Sequence, residues 1–271
     1  MAENPQGKKS RRVGDVPWLT PWAYGFMAFL YLPIAILVLY SFNASSLVMV
    51  WSGFSLEWYA KVFANANIRH AAMNSLTVAA VATAVATAIA TLAALVLVRG
   101  GKFRGRGVSI ALISLPLMVP EIVTAVAVLI VFAGAGLSLG LANVVIAHIT
   151  FCIPFAFMPI RARLEGMDTT LEQASADLYG SDWDTFRHVT LPILMPGVLA
   201  GAMLSFVISL DDFIITMMVA GAGATTLPVY IYSMIRQGVT PEVNAVSSLL
   251  LAVSLLLVTL YWLVTRNKGD T

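Results

Sequence analysis

Charge is scarce in this sequence. Only 11% of its 271 residues are Asp, Glu, Lys or Arg, whereas soluble domains usually carry about 25%. That shortage excludes an ordinary soluble domain, and a net charge of +2 is too small to hold nucleic acid electrostatically. Cysteine is almost absent as well. Cys152 stands alone inside an apolar run, so neither a disulfide framework nor a cysteine metal site can be built. The three histidines, His70, His148 and His188, fall in separate regions without ligand spacing; His148 reads as a packed or polar-bonded residue of a span. No G-x-x-x-x-G-K-[ST] pattern occurs, so the chain has no phosphate-cradling loop of that type. GLSLG, residues 136–140, matches a hydrolase nucleophile pattern, but it sits in a short turn between apolar runs rather than between a strand and a helix.

What the chain has instead is long hydrophobic runs. Hydrophobic residues make up 59% of it, and six runs approach the roughly 20 residues that a helix needs to cross a bilayer. They fall at 22–42, 75–98, 108–133, 141–160, 197–219 and 245–264. Each is continuously apolar, without the alternation of a barrel strand, so the reading is an all-α membrane protein with six transmembrane helices. The first run outlasts the 7–15 residues of a signal-peptide core and is read as a retained span, with Arg11 and Arg12 as anchors. The domain reading follows: a tail at 1–21, a six-span domain at 22–264 with a polar insert at about 163–196, and a short tail at 265–271.

Six spans put both termini on one side, and positive charge says which. Thirteen of the 16 Lys and Arg residues fall on one face; Lys61, Arg69 and Arg236 fall on the other. The expectation is an inner-membrane protein with both termini and the insert in the cytoplasm. Trp18, Trp22, Trp51, Trp58 and Trp262 stand near span ends, as an interfacial aromatic belt requires. On the outer side, FSLEWYAKVFANANIRHAAMNSL predicts a helix lying at the interface. Pro228 and Pro241 forbid one uninterrupted helix over 220–244.

The insert contains EQASADLYGSDWDTFRHVTLP, residues 172–192. Asp168, Thr169 or Thr170 can cap a short helix running to about Tyr179. Gly180 is expected to supply the turn, and Ser181 with Asp184 resembles a capping box that opens a second helix. Between Arg161 and Pro196, six acids against three arginines argue against a DNA-binding helix-turn-helix. Ala174, Ser175 and Ala176 would let another surface approach closely. The residues alone leave both a solvated loop and a docking element open.

Three ionisable residues lie within the proposed spans, and all are acids: Glu121, Asp211 and Asp212. A charge in the hydrocarbon costs about 2.5–3.5 kcal/mol on insertion scales, so such groups by default face a cavity and mark a pathway. Counted along straight helices, Glu121 and Asp211 both lie roughly 20 Å from the same end. They can line a path for a cationic cargo, or pair with a partner subunit, with Arg236 or with helix termini in a broken span. Gly197 and Gly201 form GxxxG, and Thr83, Thr87 and Thr91 recur along the second span. Small residues of this kind allow close helix approach, most simply within the chain.

The insert resembles the EAA loop of ABC importer permeases, which reads Glu-Ala-Ala, three residues, Gly, nine residues, Ile-x-Leu-Pro. Counting back from Leu191-Pro192, Val189 takes the isoleucine place, Gln173-Ala174-Ser175 the Glu-Ala-Ala place and Tyr179 the glycine place. Gly180 comes one residue late and Glu172 one residue early. The stretches LPLMVPEIV, SLDDFIITMMVAG and LPVYIYSMIRQGVTPEVNAVSSLLL resemble the second permease subunit of spermidine/putrescine importers.

This resemblance implies a permease whose short helix docks on a separate ATP-hydrolysing subunit, with Glu172, Gln173, Ala174, Ser175, Tyr179, Gly180, Leu191 and Pro192 as coupling residues. It further implies two ATPase copies that hold ATP and magnesium, a second homologous permease and a periplasmic binding protein, and no cofactor or catalysis in this chain. Glu121, Asp211 and Asp212 become candidates for a polyamine path. The alternatives are a permease for another small solute, or an ion-coupled carrier working alone.

Overall fold

The computed structural model describes residues 19–47, 50–101 and 103–266. The anchors Arg11 and Arg12, the positive charges Lys8, Lys9, Lys102 and Lys268, and Trp18 lie outside those residues, as does most of both terminal tails. The described chain is mostly helical, with α1 Leu19–Tyr40, α2 Glu57–Ala64, α3 Ala66–Val98, α4 Arg106–Met118, α5 Glu121–Gly134 and α6 Leu141–Glu165 in its first part. It continues with α7 Thr170–Asp177, α8 Asp182–Thr185, a π-helical turn Phe186–Thr190, α9 Leu191–Asp211, α10 Ile214–Val219, α11 Leu227–Gln237 and α12 Pro241–Arg266.

Five helical stretches are long and apolar enough to cross a membrane, and α4 with α5 makes a sixth as a bent pair. The straight third span expected over 108–133 is therefore broken. Its halves meet at 111°. The cause is local. Val119 is extended (φ −87°, ψ 136°) because it precedes Pro120, whose ring disfavours helical geometry in the residue before it and whose nitrogen offers no hydrogen bond.

Other boundaries also move. The interfacial helix predicted across residues 54–76 stops at Ala64. Asn65 accepts bonds from the N–H groups of Asn67 (3.0 Å) and Ile68 (3.4 Å), and this N-cap starts the second span at Ala66 instead of 75. The fifth span begins earlier than 197 and ends earlier than 219. α8, the π turn and α9 form one stretch, Asp182–Asp211, of 30 residues. Pro228 and Pro241 sit at the starts of α11 and α12, where a missing N–H is harmless.

The core is built on α3, α6 and α9, which pack against one another. The buried stripe of α3, from Ala79 through Ala82, Ala86 and Ala90 to Ala94, is wholly inaccessible. Lipid offers no hydrophobic drive between helices, so small side chains that admit close backbone approach hold the bundle together. The GxxxG pair serves this contact within the chain. A Cβ on Gly201 would lie 2.6 Å from the carbonyl oxygen of Ala156, and one on Gly197 2.5 Å from Arg163 Cβ. In contrast, α1 lies mainly along α12 and exposes Trp22, Tyr24 and Phe29.

Candidate functional site

Two chain breaks bring the three acids together. Glu121 is the first residue of α5, just past the bend, while Asp211 ends α9 and Asp212 joins it to α10. All three line one cavity of about 490 Å³, with Phe151, Phe155 and Phe213. A neighbouring cavity of about 470 Å³ is reached past Asp211 and Phe213 and includes Ser247 and Ser254. Broken helices are tolerated at membrane depth where they are buried in protein or line an aqueous cavity. Here the breaks and the acids coincide.

The acids are not equivalent. Asp212 is buried and its carboxylate is engaged: Oδ2 accepts from the N–H of Thr216 at 2.9 Å and from its hydroxyl at 2.9 Å, and Oδ1 accepts from the N–H of Ile215 at 3.3 Å. His148 Nε2, on α6, lies 3.2 Å away. The other ring nitrogen of His148 is 2.8 Å from the hydroxyl of Ser209. Asp212 thus closes the start of α10 and fastens the break to α6. Asp211, one residue earlier, is exposed, and among the described residues its side chain has no hydrogen bond or ion pair. Glu121 is half-buried and lines the same cavity as Asp212. None of the ion pairs among the described residues joins these acids to Arg236.

The structure therefore separates two adjacent aspartates that the sequence treats alike. The supporting group, His148 with Ser209 and Thr216, was not singled out as part of the site. Its signal in the sequence was a lone histidine in the middle of an apolar run. Phe213, packed against Tyr232 with the rings tilted by 52° and their centres 4.7 Å apart, was missed too, since aromatic residues are common throughout the chain.

At the other end of the bundle, the polar insert folds as two short helices. Asp168 accepts from the Thr170 N–H at 3.0 Å, which holds its carboxyl below the usual range. Ser181 caps α8 by accepting from the N–H of Asp184 (3.2 Å) and donating to its carboxylate (2.5 Å), a hydrogen bond that keeps Asp184 low as well. The turn differs from the expectation. The left-handed residue is Tyr179, with φ 61°, not Gly180.

Gly180 is required for another reason. Its N–H donates to the carbonyl of Ser175 at 2.9 Å, and the Tyr179 N–H to that of Ala176 at 3.0 Å, a Schellman ending. A Cβ on Gly180 would meet Ser175 Oγ at 2.6 Å. The turn exposes a patch of large side chains: Tyr179 is 98% accessible, Leu178 82% and Trp183 63%. Glu172 points elsewhere. Its Oε2 lies 3.1 Å from Arg99 Nε, and its Oε1 accepts from the Thr190 hydroxyl at 2.9 Å. Gln173 and Ala174 remain on α7, Ser175 bonds Thr185 (2.8 Å), and Leu191 and Pro192 open α9.

The fold and these sites define a class. Residues 86–267 match the family described as binding-protein-dependent transport system inner membrane component, and this chain belongs to that family. It is 41% identical to the spermidine/putrescine transport system permease protein PotC of Haemophilus influenzae, over 89% of this chain and 94% of that protein. It is 38% identical to the putrescine transport system permease protein PotI of Escherichia coli, over 86% of each chain. Among solved structures, a chain of a bacterial ABC transporter involved in the import of alginate superposes with a TM-score of 0.74 over 93% of this chain and 94% of that one, at 17% identity. A chain of the MetNI methionine ABC transporter in an inward-facing form gives a TM-score of 0.60, at 22% identity, over 72% of this chain and 93% of that one. The chain is thus a multi-pass inner-membrane transport component.

Proposed function

We propose that this chain is a permease subunit of an ATP-driven importer that takes up polyamines delivered by a periplasmic binding protein. The observation that carries the cargo class is the cavity where Glu121, Asp211 and Asp212 meet at two helix breaks. Among the described residues none of these acids has a Lys or Arg partner, and a flexible polycation would supply the missing charge. The names of the relatives, PotC and PotI, support the same reading.

In this account the α7–α8 segment faces the cytoplasm with both termini, and its Leu178, Tyr179 and Trp183 patch docks on a separate ATPase present in two copies. ATP and magnesium belong to that subunit. A second, homologous permease completes the membrane path. Closure of the ATPase pair moves the docked segment, and the continuous stretch Asp182–Asp211 carries that movement to the acids at its far end.

Energy source tests the reading. Polyamine uptake through the chain and its partners is expected to stop when ATP is depleted and to persist when a protonophore collapses the proton gradient. The reverse pattern would make the chain an ion-coupled carrier, with the Asp212–His148 pair as its proton site. Co-purification of an ATPase with the chain separates the two independently.

A further inference from the structure

Just before the Glu-Ala-Ala-like segment stands an acid whose side chain does not face outward. Glu172 sits in the first turn of α7, yet its side chain is only 19% accessible. Its carboxylate is held from two sides. Arg99, the residue that ends α3, brings its Nε to 3.1 Å, while buried Thr190, the last residue of the π turn, donates to the other oxygen at 2.9 Å. The Arg99 N–H does not point at the carboxylate, so this contact is electrostatic rather than a linear hydrogen bond. The same guanidinium donates through Nη2 to the carbonyl of Met167 at 3.2 Å, just past the end of α6. The end of α3, α7 and the entry to α9 therefore meet at one carboxylate, and the α6–α7 connection joins them through Arg99.

We infer that Glu172 is a positioning residue, a clasp that fastens the docking helix to α3 and α9 at once, and not a contact to the ATPase. This rests on the functional reading above. A push on Leu178 and Tyr179 moves α7 as a body. Through Glu172 that motion reaches α3 by way of Arg99 and α9 by way of Thr190. The direct connection, through α8 and the π turn, reaches α9 alone. Without the clasp the docking helix can shift while α3 stays in place, and ATP is spent without moving cargo.

The test uses the assembled transporter in proteoliposomes, with the binding protein and spermidine, and reads ATP hydrolysed per spermidine carried. This ratio does not depend on how much transporter is present. Glu172→Gln and Arg99→Gln are each expected to raise it about fivefold or more, the lower range of a coupling free energy between sites, with the ATPase still bound. Thr190→Val should act in the same direction, and Thr190→Ser, which keeps the hydroxyl, should not. The exchanged pair Glu172→Arg with Arg99→Glu should bring the ratio back toward that of the intact protein. An unchanged ratio in the single variants would overturn the clasp. So would loss of the ATPase from Glu172→Gln without rescue by the exchange, which would make Glu172 a docking contact. An intact assembly that hydrolyses no ATP for spermidine contradicts the functional reading itself, a different result from any of these.

Discussion

His148 Nε2 lies 3.2 Å from Asp212 Oδ2, and both side chains are 1% accessible. The pair joins α6 to the break between α9 and α10, and it makes Asp212 a structural member of the site while leaving Asp211 free beside the cavities. Removing His148 leaves the buried Asp212 carboxylate without one of its partners, which costs about 1–3 kcal/mol or more. His148→Ala should therefore lower the thermal melting temperature of the detergent-solubilised protein markedly. Asp211→Asn should leave it within a degree or two of the unchanged protein, since surface changes are usually within about 0.5 kcal/mol.

Close approach of α6 and α9 gives a second expectation. Gly201→Ala places a methyl group against the backbone carbonyl of Ala156, 2.6 Å from its oxygen. Overpacking of this kind costs about 1–3 kcal/mol. Thermal melting should show the loss, and Gly25→Ala, where a Cβ meets nothing within 4 Å, should not.

Tyr179 separates stability from docking. A non-glycine residue in left-handed geometry costs about 1–2 kcal/mol, so Tyr179→Gly should strengthen the turn after α7. Slower amide exchange at Tyr179 and Gly180 would report it. The same change removes the most exposed aromatic ring of the patch, and binding of the ATPase should weaken. Tighter binding together with slower exchange would show that the ring plays no part in docking.

Acid pH should loosen the insert before the spans. The carboxyls of Asp168 and Asp184 are held below their usual value of 3.8 by the Thr170 N–H and the Ser181 hydroxyl. A depressed carboxyl contributes stability that is fully present well above 3.8 and is lost as pH falls through its lower folded value. Amide exchange over residues 168–185, corrected for intrinsic rates, should gain relative to the spans only below about pH 4. Asp184→Asn should remove part of that dependence.

The spans were legible because long apolar runs are a one-dimensional signal; the breaks were not, because hydropathy does not register a bend. Pro116 and Pro120 were visible in the third run, yet only the structure shows Val119 extended and a 111° turn. Depth counted along straight helices placed Glu121 level with Asp211. The two do share a cavity, but through that bend and the early end of α9, not through equal helix lengths. Adjacent aspartates cannot be told apart in sequence, since their roles depend on His148, more than 60 residues away. The same holds for Glu172. Its partner Arg99 counts in the sequence only as one positive charge of the cytoplasmic face, until folding brings the end of α3 beside α7. The capping box of Ser181 and Asp184 was legible because both partners lie within one turn.

The most direct test is uptake of labelled spermidine and putrescine in a strain lacking this subunit, with the intact chain or Asp211→Asn restored at equal membrane abundance. The account predicts that the intact chain restores ATP-dependent uptake and that Asp211→Asn restores about tenfold less, the equivalent of roughly 1.4 kcal/mol at the rate-limiting passage. No uptake of either polyamine with the intact chain and all its partners present would contradict the cargo. Equal uptake by Asp211→Asn would contradict the path.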